Sequence, residues 1–422
     1  MSTVGGWRGL ARQAGRLALL VIPKAGGGVF LIALNLVLVR VLAADDYGRF
    51  AYCMTLVLLA DAVIGAPFDL AVIKLSGEGG AAMPMAAARA ALHAKLALIA
   101  GLTVFAALLA VVVAPVALQF ELVAATSLAI VSMLVVRSVQ VTLQVAGRFR
   151  DYAIVESLQL VLRVALVAAV IALLPASAAL ALAAIGAGGL AASVAAGLGL
   201  QRDLFGLGNR RGLPYPALTI SAGWYLGTTA LGALIGRLDI LTLGWLATPA
   251  DIGLYTAGQV IASVAELAGS YLAIFLTPML VASLREGTTA ALFRRMQPPL
   301  LALAVCGLVA AHFTWPIIGP MILPAAYQRS GEVALILMTG TFAAFATVPL
   351  ALPLLLFRHR SALLAMDVVL FPIIALGYVL AIRADEEIGA AYVTAATMLL
   401  RSLLVQLAVS WSLLRQPPSQ HE

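Results

Sequence analysis

The sequence predicts an all-α polytopic membrane protein of twelve transmembrane helices in two six-helix bundles. Three observations predict it. Of 422 residues, 63% are apolar and only 11% are charged, against roughly 25% charged in an ordinary soluble domain. Such a chain cannot cover a soluble surface, and it is too apolar to be disordered. The apolar residues also fall into runs near the ~20 residues that cross a bilayer, and the mean hydropathy is +1.06. Finally, short motifs recur at a nearly constant offset between the two halves. No stretch outside the runs is long enough for a separate soluble domain.

The first run, 18–42, follows Arg8, Arg12 and Arg16. It is too long for the apolar core of a secretion signal and no cleavage-like site closes it, so an uncleaved span is expected. Gly26, Gly27 and Gly28 loosen it beside Lys24. The run 48–73 carries Asp61 and Pro67. Next come 91–114, 122–145 with Arg137, 153–174 with Glu156 and Arg163, and 178–200. The longest polar connection, QRDLFGLGNRRGLPYP, occupies 201–216. Residues 1–205 are therefore expected as one bundle, 206–216 as a cytoplasmic linker and 217–422 as the second bundle. The seventh run, 217–246, holds Gly223, Gly227, Gly232 and Gly236 at small-xxx-small spacing, which predicts a close-packing face. It ends with Arg237 and Asp239. The run 253–283 carries Glu266 and Pro278. Four more follow: 298–319, 331–356, 362–382 with Asp367, and 388–413 with Arg401.

Basic residues orient these spans. The net charge is +7, and the positive-inside rule accounts for it without a nucleic-acid partner. With a cytoplasmic N-terminus, 18 of the 26 basic residues, Lys74 and Lys95 among them, fall in cytoplasmic positions. Four, Arg40, Arg49, Arg329 and Arg383, fall outside, and four lie within spans. Both termini are thus expected in the cytoplasm.

The repeat is specific in its details. LVRVLAADDYGRFA aligns with LGWLATPADIGLYT, placing Asp46 and Gly48 on Asp251 and Gly253 at an offset of 205. The same offset sets Asp61 on Glu266. Pro67 and Lys74 map to Pro278 and Arg285 at 211, and Arg148 and Arg150 to Arg358 and Arg360 at 210. Six spans per half give the repeats the same orientation, related by an axis along the membrane normal, with a substrate path expected between them.

These same segments carry a family resemblance. RVLAADDYGRFAYCMTLVLLADAVIG, residues 40–65, resembles the first loop and second helix of the O-antigen type polysaccharide flippases. Those belong to the multidrug/oligosaccharidyl-lipid/polysaccharide exporter superfamily. VTLQVAGRFRDYAIVESLQLVLRVAL, residues 141–166, is similar to their fourth-to-fifth helix turn. GRLDILTLGWLATPADIGLYTAGQVIA, residues 236–262, is similar to their seventh-to-eighth segment. The resemblance implies a MATE-like fold, two bundles around a cavity that opens alternately to either side. It also implies movement of an undecaprenyl-diphosphate-linked saccharide across the bacterial inner membrane, alongside other polysaccharide-assembly membrane proteins. Many relatives add two further helices; this chain shows twelve spans.

Catalytic motifs are absent from the sequence. None of the three lysines follows a glycine, so there is no Walker A loop, and neither H-E-x-x-H nor G-x-S-x-G occurs. The four histidines, His93, His312, His359 and His421, are scattered, and no metal or cofactor is expected. Cys53 and Cys306 lie inside apolar runs and read as helix residues rather than a disulfide.

Intramembrane charges are the positive signal, since each costs at least ~2.5 kcal/mol to insert. Lys24, Arg137, Arg163, Arg237 and Arg401, with Arg40 at a span end, are the candidates for gripping a lipid diphosphate. Charge pairing or snorkelling is the competing role. Asp61, Glu156, Asp239, Glu266 and Asp367 are the candidates for coupling to a proton or sodium gradient. Neutralising a neighbouring arginine is their competing role. Asp61 lies 13 residues from both Gly48 and Lys74, roughly 20 Å from each and so near the midplane. Glu156 and Arg163, seven residues apart, are spaced to pair along one helix face or to flank one site. Pro67 and Pro278 are expected to kink their helices and to serve as hinges. Two other functions compete with a lipid-linked saccharide flippase: a multidrug or cation exporter on the same fold, and a membrane glycosyl polymerase or ligase. Short outer loops argue against an enzyme.

Overall fold

A computed structural model describes residues 26–78, 83–113, 120–197, 215–358 and 360–414. Lys24, most of the expected linker and His421 lie outside these residues. The described chain is helical, with no strand among the described residues. In order, the helices are α1 (Gly26–Val41) and α2 (Ala44–Glu78). Then come α3 (Met83–Val113), α4 (Phe120–Val145), α5 (Phe149–Leu173) and α6 (Ala178–Gly197). The second half holds α7 (Tyr215–Ile235), α8 (Leu238–Leu246), α9 (Pro249–Glu286), α10 (Thr289–Ile322) and α11 (Gln328–Thr347). It closes with α12 (Ala351–Arg358) and α13 (Arg360–Leu414).

Eight helices among the described residues are long and apolar enough to cross a membrane. One of them, Ser361–Leu413, contains two spans, because α13 breaks at Asp385 and Glu386, where Glu386 has φ 38°. The remaining expected spans are met by α1, by α3 and by the α7–α8 pair. The chain therefore has the polytopic all-α architecture that its apolar runs predict. Large apolar side chains such as Trp224, Phe275, Phe313 and Trp411 face outward, as lipid-facing residues do.

By packing, the chain forms two units. One contains 52–237, and the other contains 31–51 and 238–422. Helix α7 thus packs in the first unit, against the second half of α2. These packing units are offset from the sequence repeat, whose boundaries remain an expectation drawn from the offsets.

The first unit is organised around α2 and α4. A π-helical turn, Asp61–Gly65, interrupts α2 directly before Pro67. Proline lacks the N–H that would bond one turn back, and the wider turn takes up that register change. Pro278, its repeat equivalent, sits inside an unbroken α9. Around the π turn, Ile64, Phe68, Leu134, Val135 and Leu218 are buried together with α3 side chains.

The second unit shows why the D-x-G motif recurs. Gly48 sits against the Pro249 carbonyl so closely that an added Cβ would collide with it. A Cβ at Gly253 would likewise collide with the Ala44 carbonyl and stand 3.2 Å from the Gly48 nitrogen. The repeat-equivalent glycines thus face each other where the α1–α2 corner meets the α8–α9 corner. Thr248 and Asp251 close a capping box at the start of α9. Arg40 donates to the last carbonyls of α10, 2.8 Å to Met321 and 3.3 Å to Ile322. Tyr47, fully buried, meets Tyr327 edge to face.

Two expectations are corrected. Lys95, counted among the cytoplasmic positions, is fully buried inside α3. Its charge is matched by Asp69 on α2, which lets it stay away from water. Gly223 and Gly227 form no packing face among the described residues, because a Cβ at either would meet nothing within 4 Å. Cys53, buried, and Cys306, exposed, are unbridged helix residues, as the sequence predicts.

Candidate functional site

Each unit carries its own polar cluster inside apolar helices. In the first unit, Asp61 opens the π turn and is 6% exposed. Arg137 on α4 donates to its Oδ2 from NH2 at 2.9 Å and from Nε at 3.3 Å. Asp61 Oδ1 has no hydrogen-bond partner, and it lies so close to Gly65 that a Cβ there would collide with it. Two turns further along α2, Asp69 pairs with Lys95, which also donates to Ser138 Oγ at 3.1 Å. Ser138 adjoins Arg137 in sequence, so the two ion pairs are neighbours, and Arg137 also feels the charge of Asp69. The Arg137 side chain is 40% exposed while its partner is buried. The guanidinium therefore has a free face on which to meet a second anion.

Helix α5 extends this cluster. Glu156 accepts hydrogen bonds from Gln140 on α4 and from Gln159 at 2.8 Å. It does not form an ion pair with Arg163. Seven residues span roughly 10 Å along a helix, and two amides lie nearer. Arg163 is left half-buried, with its Nε unpartnered and NH2 4.0 Å from Met133 Sδ. Gly188 and Gly189 on α6 make room for it, since a Cβ at Gly188 would strike its backbone and one at Gly189 its guanidinium. Met133 and Arg137 are four residues apart on α4, so Arg163 and Arg137 flank one stretch of that helix.

In the second unit Asp239 opens α8 and is 3% exposed. It accepts from Tyr255 at 2.8 Å, from Gln259 at 2.9 Å and from the Ile240 amide at 2.7 Å. Tyr255 and Tyr378 both meet the Thr394 hydroxyl, at 2.8 Å and 2.9 Å. This joins α8, α9 and both arms of α13 through a buried chain of hydroxyls. Arg401 lies 3.0 Å from Asp367 Oδ1, joining the same two arms. Arg237 is half-buried in the turn between α7 and α8. Glu266 is exposed on α9, unlike its buried repeat equivalent Asp61.

Sequence reasoning found Asp61 and Arg137 singly but missed the Asp69–Lys95 pair. The signal was present, because both residues fall inside expected spans. It also missed Glu387, fully buried at the break in α13.

No protein-family profile matches the chain, and no curated protein is similar to it in sequence. Solved structures are similar in fold. One is a Vibrio cholerae MATE transporter, 14% identical, at TM-score 0.57, with 96% of this chain and 98% of that chain covered. Another is an outward-facing multidrug resistance MATE family transporter of the MOP superfamily, 11% identical, at TM-score 0.51. There the coverage is 94% of this chain and 95% of that chain. The chain thus has the MATE-like fold over nearly its whole length.

Proposed function

We propose that this chain is a transporter that moves an undecaprenyl-diphosphate-linked saccharide unit across the bacterial cytoplasmic membrane by alternating access. The observation that carries the reading is Arg163, a half-buried guanidinium in a membrane helix whose Nε has no partner. An unsatisfied cation in apolar surroundings is costly unless an anion completes it. Arg137, exposed on one face beside it, supplies a second fork of the kind that matches diphosphate oxygens. In this reading the lipid tail stays in the bilayer while the headgroup is held. Asp61 and Asp239 are the carboxylates placed to exchange a proton or sodium ion, since no nucleotide-binding motif is present to supply energy.

The test is export in a strain lacking its own flippase. Arg163→Ala should abolish surface saccharide while the protein remains inserted and abundant, and Arg163→Lys should restore it in part. Full export by Arg163→Ala removes this residue from the site.

One observation favours the second reading, export of a cationic compound. Asp239 is a carboxylate buried within an apolar helix, 3% exposed, which suits a cation. Export of cationic dyes that survives Arg163→Ala but not Asp239→Asn is what this reading requires.

A further inference from the structure

A separate cluster of carboxylates sits at one end of the second unit, away from Asp239 along α9. The helix break in α13 presents Asp385, Glu386 and Glu387 in a row. Asp251 stands at the start of α9 and Arg329 at the start of α11. Carboxylate oxygens of Asp251, Glu386 and Glu387 lie within 4.8 Å of one another. Asp251 already accepts, through Oδ2, from the Thr248 amide at 2.8 Å and hydroxyl at 2.6 Å. Arg329 is 3.6 Å from Asp385. Its Nε is 3.0 Å from Glu387 Oε1, an ion pair without hydrogen-bond geometry.

Glu387 is the independent sign that something is owed to this cluster. Its side chain is 0% exposed. Its Oε2 has no hydrogen-bond partner among the described residues. A sealed carboxylate oxygen facing two other carboxylates is strongly unfavourable without a positive charge. Arg329 is a single guanidinium among four acidic groups, and it approaches only Oε1 of Glu387. The four carboxylates outnumber the cation that touches them.

We infer that Asp251, Glu386 and Glu387 form a binding site for a divalent cation, calcium by preference. The donors are oxygens only, which selects a hard ion over zinc or copper. Three carboxylate oxygens within 4.8 Å of one another are close enough to share one ion. Calcium, with longer bonds and a more flexible geometry than magnesium, suits carboxylates supplied by two separate helices. Exposed Glu386 gives the ion an entry, and buried Glu387 gives it a fixed wall. The positive-inside count places this end outside the cell, where calcium is plentiful, so weak binding of about 0.1–1 mM suffices. The ion ties the start of α9 to the break in α13. Asp251 lies two residues from Gly253, which packs on the α1–α2 corner, so the ion also steadies that corner.

The experiment uses the full-length protein purified in detergent and stripped with EGTA. Radioactive calcium in equilibrium dialysis should bind at one ion per chain. Saturating calcium chloride should raise the unfolding temperature by about 2 °C, and magnesium chloride at the same concentration by less. Glu387→Gln should weaken calcium binding at least tenfold. Glu386→Gln, an exposed change that leaves the core untouched, should weaken it several-fold, and Asp385→Asn should leave it unchanged. No calcium binding at 10 times the expected ~1 mM limit would overturn the proposal. So would unchanged affinity in Glu386→Gln, or magnesium competing on equal terms.

Discussion

The two units differ in how they hold charge inside apolar helices. In the first, carboxylates meet cations: Asp61 with Arg137 and Asp69 with Lys95. In the second, the most buried intramembrane carboxylate, Asp239, meets hydroxyl and amide groups from Tyr255 and Gln259. An ion pair of this unit, Asp367 with Arg401, is more open, with the arginine side chain 35% exposed. The two packing units thus hold different polar contents. A cationic set suits an anionic headgroup. A carboxylate buried in an apolar helix is a group whose charge a proton or a small cation can neutralise. Within the proposed function, grip falls to the arginines of the first unit, and each unit supplies one coupling carboxylate, Asp61 and Asp239.

The largest effect should come from breaking the sealed pair of the first unit. Lys95→Met leaves Asp69 charged and buried, and should cost about 3–5 kcal/mol. Thermal unfolding in detergent should show this, and the Lys95→Met/Asp69→Leu double variant should recover most of it. In the second unit Arg401→Ala should cost less, because its side chain is 35% exposed whereas Lys95 is fully buried. Equal losses from the two variants would erase the contrast.

Glycine substitutions should give a middle effect and sharpen the contrast between the sequence repeats. Gly48→Ala pushes a methyl into the Pro249 carbonyl and should cost about 1–3 kcal/mol. Gly223→Ala enters open space and should stabilise α7 by about 0.5–1 kcal/mol through helix propensity. Paired melting curves decide this. A neutral Gly48→Ala would mean that the two corners are not held together.

The smallest effect on stability should come from Glu266, the exposed member of the repeat-related carboxylates. Glu266→Gln on an exposed face should change stability by less than about 0.5 kcal/mol. Asp61→Asn keeps the shape of Asp61 and should uncouple transport from an imposed pH gradient, while Glu266→Gln should not. Flux with and without the gradient measures both. Uncoupling by Glu266→Gln alone would reverse the assignment.

The architecture was legible because hydropathy is a one-dimensional signal, and among the described residues each apolar run is met by one helix or a broken pair. The D-x-G repeat was legible for a related reason: a backbone contact tolerates only glycine, so the residue type itself betrays the geometry. Partner choice was not. That Asp61 pairs with Arg137 depends on how α2 and α4 are rotated about their axes, and a π turn before Pro67 resets that rotation. Lys95 was misplaced because a charge near a span end reads as a loop residue. Glu387 sits in the run RADEE, which reads as solvated; only the fold of the α13 break buries it. Glu156 and Arg163 had the right spacing for one helix face, but competition from Gln140 on a neighbouring helix could not be read from that spacing.

The central claim is that the arginines of the first unit grip an anionic lipid-linked headgroup. Its most direct test is translocation in proteoliposomes, using a fluorescent undecaprenyl-diphosphate saccharide whose outer pool is quenched. Wild-type protein should expose the inner pool to quencher, and Arg163→Ala should slow this at least tenfold. Asp239→Asn should retain binding of the lipid. A wild-type protein that leaves the lipid in place while expelling a cationic dye would contradict the claim.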